Sequence, residues 1–484
     1  MFDPSVTSVF LGVLVFLLVF WLARKPKNLP PGPWSLPIIG YQFGPGLIHE
    51  AFVDLAKRYG PIFSVRRGAF LFVVLNDKES VIQALVKSGE FTSDRFVPGH
   101  FKWSIPRAEN DASIAWSNGK SWSNLRRFAL PALRSFGFGK QSMVPQINLE
   151  ARYLAEEIRN LRGEPTDMAF LLCKATANII CQLLFSRRYE YGDAAFRKAV
   201  GALETTLSAI PETDPVNIFQ TLINLPIPRY KSYREATFIV RDFIMGNLKS
   251  HRETFQAENI RDFTDVYLSD DISKEFEFDC FWRAMLDLFG GGTDTTAVVT
   301  SWIILYLAVH QDVQRKVQAE LDAVVGRGRQ PTTKDRQDLP FCDATLHEVM
   351  RIRPILPISI PHMTSDDVSL GGYSIPKGSI IVPNLWAVHH DPREWKDPEE
   401  FNPGRFISED GKVFQKNDAW MPFSVGRRDC VGSQLAKMES FLLFTNLFQQ
   451  FEFRLPSNDP TPSLHGDIGI TMNPIAYRIC AVER

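Results

Sequence analysis

Phe423-Ser424-Val425-Gly426-Arg427-Arg428-Asp429-Cys430-Val431-Gly432 is the stretch on which the reading of this chain turns. A helical pattern follows it, with Leu435, Met438, Phe441 and Leu442 at helical spacing and an apolar run continuing to Phe448. A cysteine at the start of a helix faces unpaired N–H groups and the positive end of the helix dipole, and both favour a thiolate. Gly426 and Gly432, on either side of the cysteine, let the backbone lie closely against something flat. Arg428 can serve an anionic group on that same object. A cysteine that merely capped a helix would leave the glycines and the arginine without a purpose. The remaining cysteines (Cys173, Cys181, Cys280, Cys342 and Cys480) form no C-x-x-C pair and read as packing thiols. That is the usage of a reducing compartment, not of a disulfide framework or a zinc cage.

The pattern F-x-x-G-x-R-x-C-x-G, carried by Phe423, Gly426, Arg428, Cys430 and Gly432, resembles the haem-ligand loop of the cytochromes P450. The resemblance implies that Cys430 is the axial thiolate ligand of haem iron and donates electron density that favours O–O cleavage. It makes Phe423, Gly426, Arg428 and Gly432 part of the seat of haem b. Upstream, Glu348-Val349-Met350-Arg351 puts two charges on one helix face, where they can pair. Phe401-Asn402-Pro403-Gly404-Arg405-Phe406 resembles the family's P-x-R-F element, so Glu348, Arg351 and Arg405 resemble a buried fold-locking triad. His347-Glu348 begins like H-E-x-x-H, but Arg351 stands in the last position and the zinc-protease reading fails.

Gly290-Gly291-Gly292-Thr293-Asp294-Thr295-Thr296 lies inside the longest helical pattern, Cys280 to Val325. Three glycines in a helix interior cost roughly 1 kcal/mol each against alanine, which points to a local opening, a ligand's close approach or a helix-packing notch. The segment resembles the family's acid–threonine element over the distal haem face. There the acid and the threonine hold water and deliver protons to dioxygen. By that resemblance the catalytic residues are Thr295, which positions the proton, and Asp294, which gates its supply. Trp122-Ser123-Asn124-Leu125-Arg126 sets an indole N–H and a guanidinium on one helical face, suited to a carboxylate. Trp122, Arg126, His362 and Arg428 together resemble the family's haem-propionate partners. The further arginine that microsomal animal members carry ahead of Ser117-Asn118-Gly119 is replaced hereabouts by Asn110-Asp111.

Outward from these motifs, Ile62 to Leu75 reads as strands, residues 120–160, 165–210 and 232–257 as helices, and Val368 to Pro383 as a small sheet. The fold class is therefore mainly α with a small β region (α+β), and the resemblance implies a single-domain cytochrome P450 fold. Val6 to Ala23 carries no charge and spans 18 residues, roughly 27 Å as a helix. Arg24, Lys25 and Lys27 follow it, so residues 1–24 read as a single membrane anchor with the body on the cytosolic side. Residues 25–33, basic and then proline-rich, read as a stiff hinge, and 34–484 as the catalytic domain. No other segment reads as long and apolar enough to span.

With 54 Lys+Arg against 55 Asp+Glu, the net charge of −1 argues against nucleic acid as the main partner. At 45% hydrophobic and 23% charged residues, disorder is excluded. The resemblance implies a haem-thiolate monooxygenase at the endoplasmic reticulum membrane, using O2 and electrons from NADPH through NADPH–cytochrome P450 reductase, with cytochrome b5 a further donor. Lys120, Arg126, Arg127, Arg134, Lys140, Arg427 and Lys437 form a candidate basic docking face for the reductase. The family's pocket positions fall on Phe289, Gly290, Gly291, Ile355, Leu356, Ile358, Ile360, Ile468 and Ile470, all apolar, which implies a lipophilic xenobiotic, fatty acid or steroid held by desolvation. Two other readings stand beside this one. A haem-thiolate isomerase or dehydratase of peroxides would not need Asp294 and Thr295, and a membrane-anchored haem carrier or gas sensor would need neither that pair nor an apolar pocket.

Overall fold

The structure, a computed structural model, describes residues 4–484 except 24–27, 37–38, 45, 105–111, 138, 212–213 and 409–416. The basic flank Arg24, Lys25 and Lys27 and the Asn110-Asp111 pair thus lie outside the described residues. Helices dominate. Phe278–Val309 is the longest, a buried helix that is apolar nearly all round and therefore belongs in a core. It packs against Ala169–Phe185, Pro228–Thr254 and Ser433–Gln450. These share one large buried cluster running from Ala112 to Ala481. By length and composition alone Phe278–Val309 could also cross a membrane, contrary to the sequence reading, but it is mostly buried inside the protein.

Residues 232–257 fall in the single helix Pro228–Thr254, whereas the other expected helical blocks are divided. Residues 120–160 form Gly119–Ser135 and Val144–Asn160, with Gly137 at φ 86° between them. Ser186, in the left-handed region, stops Ala169–Phe185 ahead of Ala194–Ser208. His310 leaves helical geometry at the end of the long helix, where its ring stacks on Tyr306. A separate helix, Gln311–Val324, then begins. A single left-handed or extended residue is enough to break such a run, and hydrophobic periodicity does not register it.

The first seven strands in chain order are β1 (Ile62–Arg67), β2 (Phe70–Leu75), β3 (Asp94–Arg95), β4 (His362–Met363), β5 (Val368–Leu370), β6 (Tyr373–Ile375) and β7 (Ile380–Pro383). One sheet has the order β1-β2-β7-β4-β3, with β2 and β7 parallel and the other pairs antiparallel. Its β3–β4 edge sets Arg95 directly opposite His362.

The N-terminal helix, Pro4–Ala23, exposes Val9, Phe10, Leu11 and Phe16. The hinge reading of 25–33 needs correction, because the chain is already docked from Asn28 onward. Asn28 Nδ2 donates to Gly372 O (2.8 Å), and Ser64 N–H donates to Pro31 O (2.8 Å). Gly32 lies so close to β1 that a Cβ there would stand 1.8 Å from Ser64 O. Extended proline-rich backbone offers free carbonyls to a sheet edge, so here it docks instead of standing off as a spacer.

Candidate functional site

The cysteine loop is built by two residues with positive φ, Ser424 at 58° and Gly426 at 84°. They turn the chain so that Cys430 N–H donates to Phe423 O (3.0 Å) and Asp429 N–H to Gly426 O (3.2 Å). A Cβ on Gly426 would stand 2.0 Å from Leu85 O. Gly426 thus admits a neighbouring backbone, not the flat object that the sequence suggested. Gly432 is the N-cap of the Ser433–Gln450 helix. Cys430 is solvent-accessible by area, yet the surrounding protein desolvates its thiol and pushes it up to about 11. The Gly432 N–H, Arg126 and Lys437 act in the opposite direction but do not prevail. A helix start alone therefore does not ionise this thiol; a coordinated metal ion would.

Beside the loop, cations gather, and two of them, Arg95 and Arg428, form no ion pair among the described residues. Arg428 is buried and donates to Ser93 O (2.7 Å) and Ser117 O (2.6 Å). Its guanidinium carbon lies 3.8 Å from the Trp122 ring centroid. Burial, with Arg95 close by, pulls the Arg428 guanidinium down to about 8. Burial, with Arg126 adding to it, pulls Arg95 down to about 9. Arg95 donates to Ile360 O and Arg428 O, and its backbone is bracketed by the Asn118 amide. Arg126 pairs with Asp429. The Trp122 Nε1 and His362 Nε2 atoms are buried with no hydrogen-bond partner among the described residues. His362 Nδ1 lies 2.8 Å from Thr92 O, and a carbonyl only accepts, so Nδ1 carries the proton. Burial and the neighbouring arginines hold this imidazole well below its ordinary value, and it is neutral.

The structure thus brings together Trp122, Arg126, His362, Arg428 and Cys430, and adds Arg95, which the sequence reading missed. That reading sought the additional cation near Asn110, whereas it stands on the two-residue strand β3, which carries no periodicity to notice. Two buried guanidiniums that form no ion pair among the described residues, together with an indole N–H that has no partner among them, fit a group that carries carboxylates.

On the long helix, Asp294 is buried and its Oδ2 accepts from Thr471 Oγ1 (2.7 Å). Burial, with Glu204 adding to it and Thr471 opposing, raises this carboxyl to about 6. Thr295 donates back to Gly291 O (2.7 Å). The glycine run divides between two explanations. A Cβ on Gly292 would stand 2.4 Å from Ile180 Cδ1, a packing notch, whereas one on Gly291 would meet nothing. Thr176 Oγ1 reaches across to donate to Thr293 O (2.8 Å), tying the two helices together there.

Glu348, Arg351 and Arg405 come together as the sequence reading expects. Arg351 Nε and Nη2 donate to the two Glu348 oxygens at 2.7 and 2.9 Å, and Arg405 Nε donates to Oε1 at 3.0 Å. Arg351 and Glu348 are completely buried.

Leu356, Ile358, Ile360 and Ile470 line an apolar cavity together with Ile210 and Ile218. Phe289 instead lies in the core, 5.8 Å from the Phe243 ring, and the Ile468 side chain is outside the described residues. The lining also includes Arg67. The apolar positions read from sequence contain no charge, so this is a departure from them.

A family model described as Cytochrome P450 matches residues 30–481. The chain is 37% identical to cytochrome P450 2J2 of Homo sapiens over 99% of its own length and 96% of the relative's. It is 36% identical to cytochrome P450 2U1 of Homo sapiens, covering 100% and 94%. Cytochrome P450 2C25 of Mesocricetus auratus is 36% identical, with 99% of each chain covered.

Proposed function

The chain belongs to the cytochrome P450 family, and from that premise we propose the roles of its individual residues. As a family member it is a monooxygenase that uses haem iron, O2 and NADPH electrons supplied by a reductase, and it acts on lipophilic substrates. Haem, when bound, supplies the activation of dioxygen. Cys430 would hold the iron. Arg95, Trp122, Arg126 and Arg428 would hold the carboxylates, and His362 would join them on taking up a proton at Nε2, with Phe423, Gly426 and Gly432 shaping the loop. The observation that carries this reading is the pair of buried guanidiniums of Arg95 and Arg428, which form no ion pair among the described residues, beside a Trp122 Nε1 that has no partner among them.

Asp294 is suited to move protons, because a carboxyl near 6 both holds and releases one around neutral pH. The Thr295 hydroxyl then positions water at the open turn beside Gly291. In reductase-driven turnover, Thr295→Ala should consume NADPH while product formation falls and hydrogen peroxide rises. Unchanged coupling removes Thr295 from the mechanism.

The exposed Lys120, Arg127, Arg134, Lys140 and Arg427 would dock the acidic face of NADPH–cytochrome P450 reductase, with cytochrome b5 competing for it. Insensitivity of electron transfer to salt and to Arg134→Glu would refute that face. We place the chain at the endoplasmic reticulum membrane, anchored through Pro4–Ala23. With Phe219 and Leu225 exposed, residues 218–227 would dip into the membrane as a lipid-side entrance, and a chain lacking residues 1–28 that ignored liposomes would argue against it.

A further inference from the structure

The buried carboxyl of Asp294 is held from a part of the chain far from it in sequence. Thr471, between the strands Gly466–Ile468 and Met472–Pro474, is itself buried and donates its hydroxyl to Asp294 Oδ2 (2.7 Å). Burial and Glu204 raise the Asp294 carboxyl, and Thr471 alone acts to lower it. No cation acts on this carboxyl among the described residues. Glu204 stands on Ala194–Ser208, where burial and Asp167 raise its own carboxyl. Cys173, on Ala169–Phe185, is raised chiefly by burial and further by Asp294, Glu204 and Asp167, so it is a neutral thiol. The turn that carries Thr471 is fixed on three sides. Ile470 N–H donates to Leu207 O (3.1 Å), Met472 N–H donates to Ile355 O (2.8 Å), and Met472 O accepts from Trp302 Nε1 (2.8 Å). A Cβ on Gly469 would stand 2.9 Å from Leu207 O, so glycine lets the turn lie against that helix end. Asn473 Nδ2 donates to Thr471 Oγ1 (3.3 Å), which fills an acceptor site of the hydroxyl and leaves its proton to Asp294. Ile470 lines the apolar cavity, so the turn stands at the site itself.

We propose that Thr471 is a positioning residue for the proton relay, its hydroxyl fixing the Asp294 carboxyl in one orientation and favouring its ionised form. This rests on the reading of Asp294 as a proton carrier and names the group that makes the carrier ready to release. A hydroxyl that donates to a carboxylate forms a charge-assisted bond, stronger than the same bond to the neutral acid. With Oδ2 taken up by Thr471, the proton is held and released at Oδ1. Loss of the hydroxyl leaves burial and Glu204 unopposed. The carboxyl then keeps its proton at neutral pH instead of passing it to the water beside Thr295.

The test is infrared difference spectroscopy of the haem-loaded full-length chain across a pH titration, with Asp294→Asn identifying the Asp294 carboxyl band. The wild-type band should titrate with a midpoint of about 6. In Thr471→Val, which keeps the branched shape and removes the hydroxyl, the midpoint should rise by about one to two pH units. Thr471→Ser should bring it back toward the wild-type value. Thr471→Ala, which adds no volume, carries the same expectation if the valine variant does not fold. Melting curves give a second readout. Thr471→Val should lower the melting temperature more at pH 7 than at pH 4.5, because the ionised acid gains most from the hydroxyl. That difference should vanish in the Asp294→Asn background, an outcome that a merely structural role for Thr471 does not produce. An unmoved midpoint in Thr471→Val and Thr471→Ala overturns the proposal, and so does an equal melting loss at the two pH values. Turnover separates this from the relay itself. If Asp294→Asn keeps wild-type rate and coupling while the Thr471 variants still move the midpoint, the reading of Asp294 as proton carrier fails and its holding by Thr471 stands.

Discussion

The guanidinium of Arg428 lies over the indole of Trp122, 3.8 Å from carbon to ring centroid, while the indole N–H has no partner among the described residues. The stacking fixes both side chains, so their remaining hydrogen-bonding capacity points to a shared anion. With Arg95 nearby, the site is electrostatically incomplete without that anion.

Haem affinity should therefore depend on the propionate charges. One charge-assisted hydrogen bond is worth about 1.5–3 kcal/mol. Haem dimethyl ester should bind the haem-free chain roughly ten- to a hundredfold more weakly than haem, measured by competition from a protein with known haem affinity. Equal affinity would mean that the cations serve another purpose.

Glu348 accepts from both Arg351 and Arg405, with the Glu348–Arg351 pair fully buried. Glu348→Gln leaves a buried Arg351 cation uncompensated, and breaking such a pair costs about 3–5 kcal/mol. The thermal midpoint should fall sharply and haem-loaded yield with it. A midpoint within a degree or two of the wild type would contradict the locking role.

Gly426 and Gly291 make a matched pair for testing what the glycines do. Gly426→Ala forces a Cβ toward Leu85 O at a positive φ, whereas Gly291→Ala meets open space. Circular dichroism and haem content should show Gly426→Ala severely impaired, and Gly291→Ala folded and loaded. Equal tolerance of both would show that the loop can relax.

The raised Asp294 carboxyl has a signed consequence for stability. Its folded value of about 6 lies above the unfolded value near 3.9, so the native state holds the proton more tightly. That contribution is fully present below about pH 4 and is lost as pH rises toward 6, a change of about 3 kcal/mol. Asp294→Asn should abolish this loss, raising the melting temperature relative to the wild type more at pH 7 than at pH 4.5. The same gap at both values would place the proton elsewhere.

The sequence made the cysteine loop, the Glu348–Arg351–Arg405 lock and the Asp294-Thr295 pair legible, because each rests on short fixed spacings along one element or turn. The cysteine's ionisation was misjudged for a physical reason: helix-end electrostatics can be read locally, but desolvation depends on what packs around the thiol. Arg95 escaped notice because its significance comes from the sheet, where it meets His362 across a strand pair. The docking of residues 28–33 was hidden likewise, since its partners Ser64 and Gly372 are remote in sequence.

The role of Cys430 is most directly tested by the reduced, carbon-monoxide-bound spectrum of the purified full-length chain and of Cys430→Ser. The wild type should show the long-wavelength Soret band of a thiolate-ligated haem, and Cys430→Ser should lose that band while Cys181→Ser and Cys342→Ser retain it. A thiolate-type band that persists in Cys430→Ser, or that is absent from a haem-loaded wild type, would contradict the account.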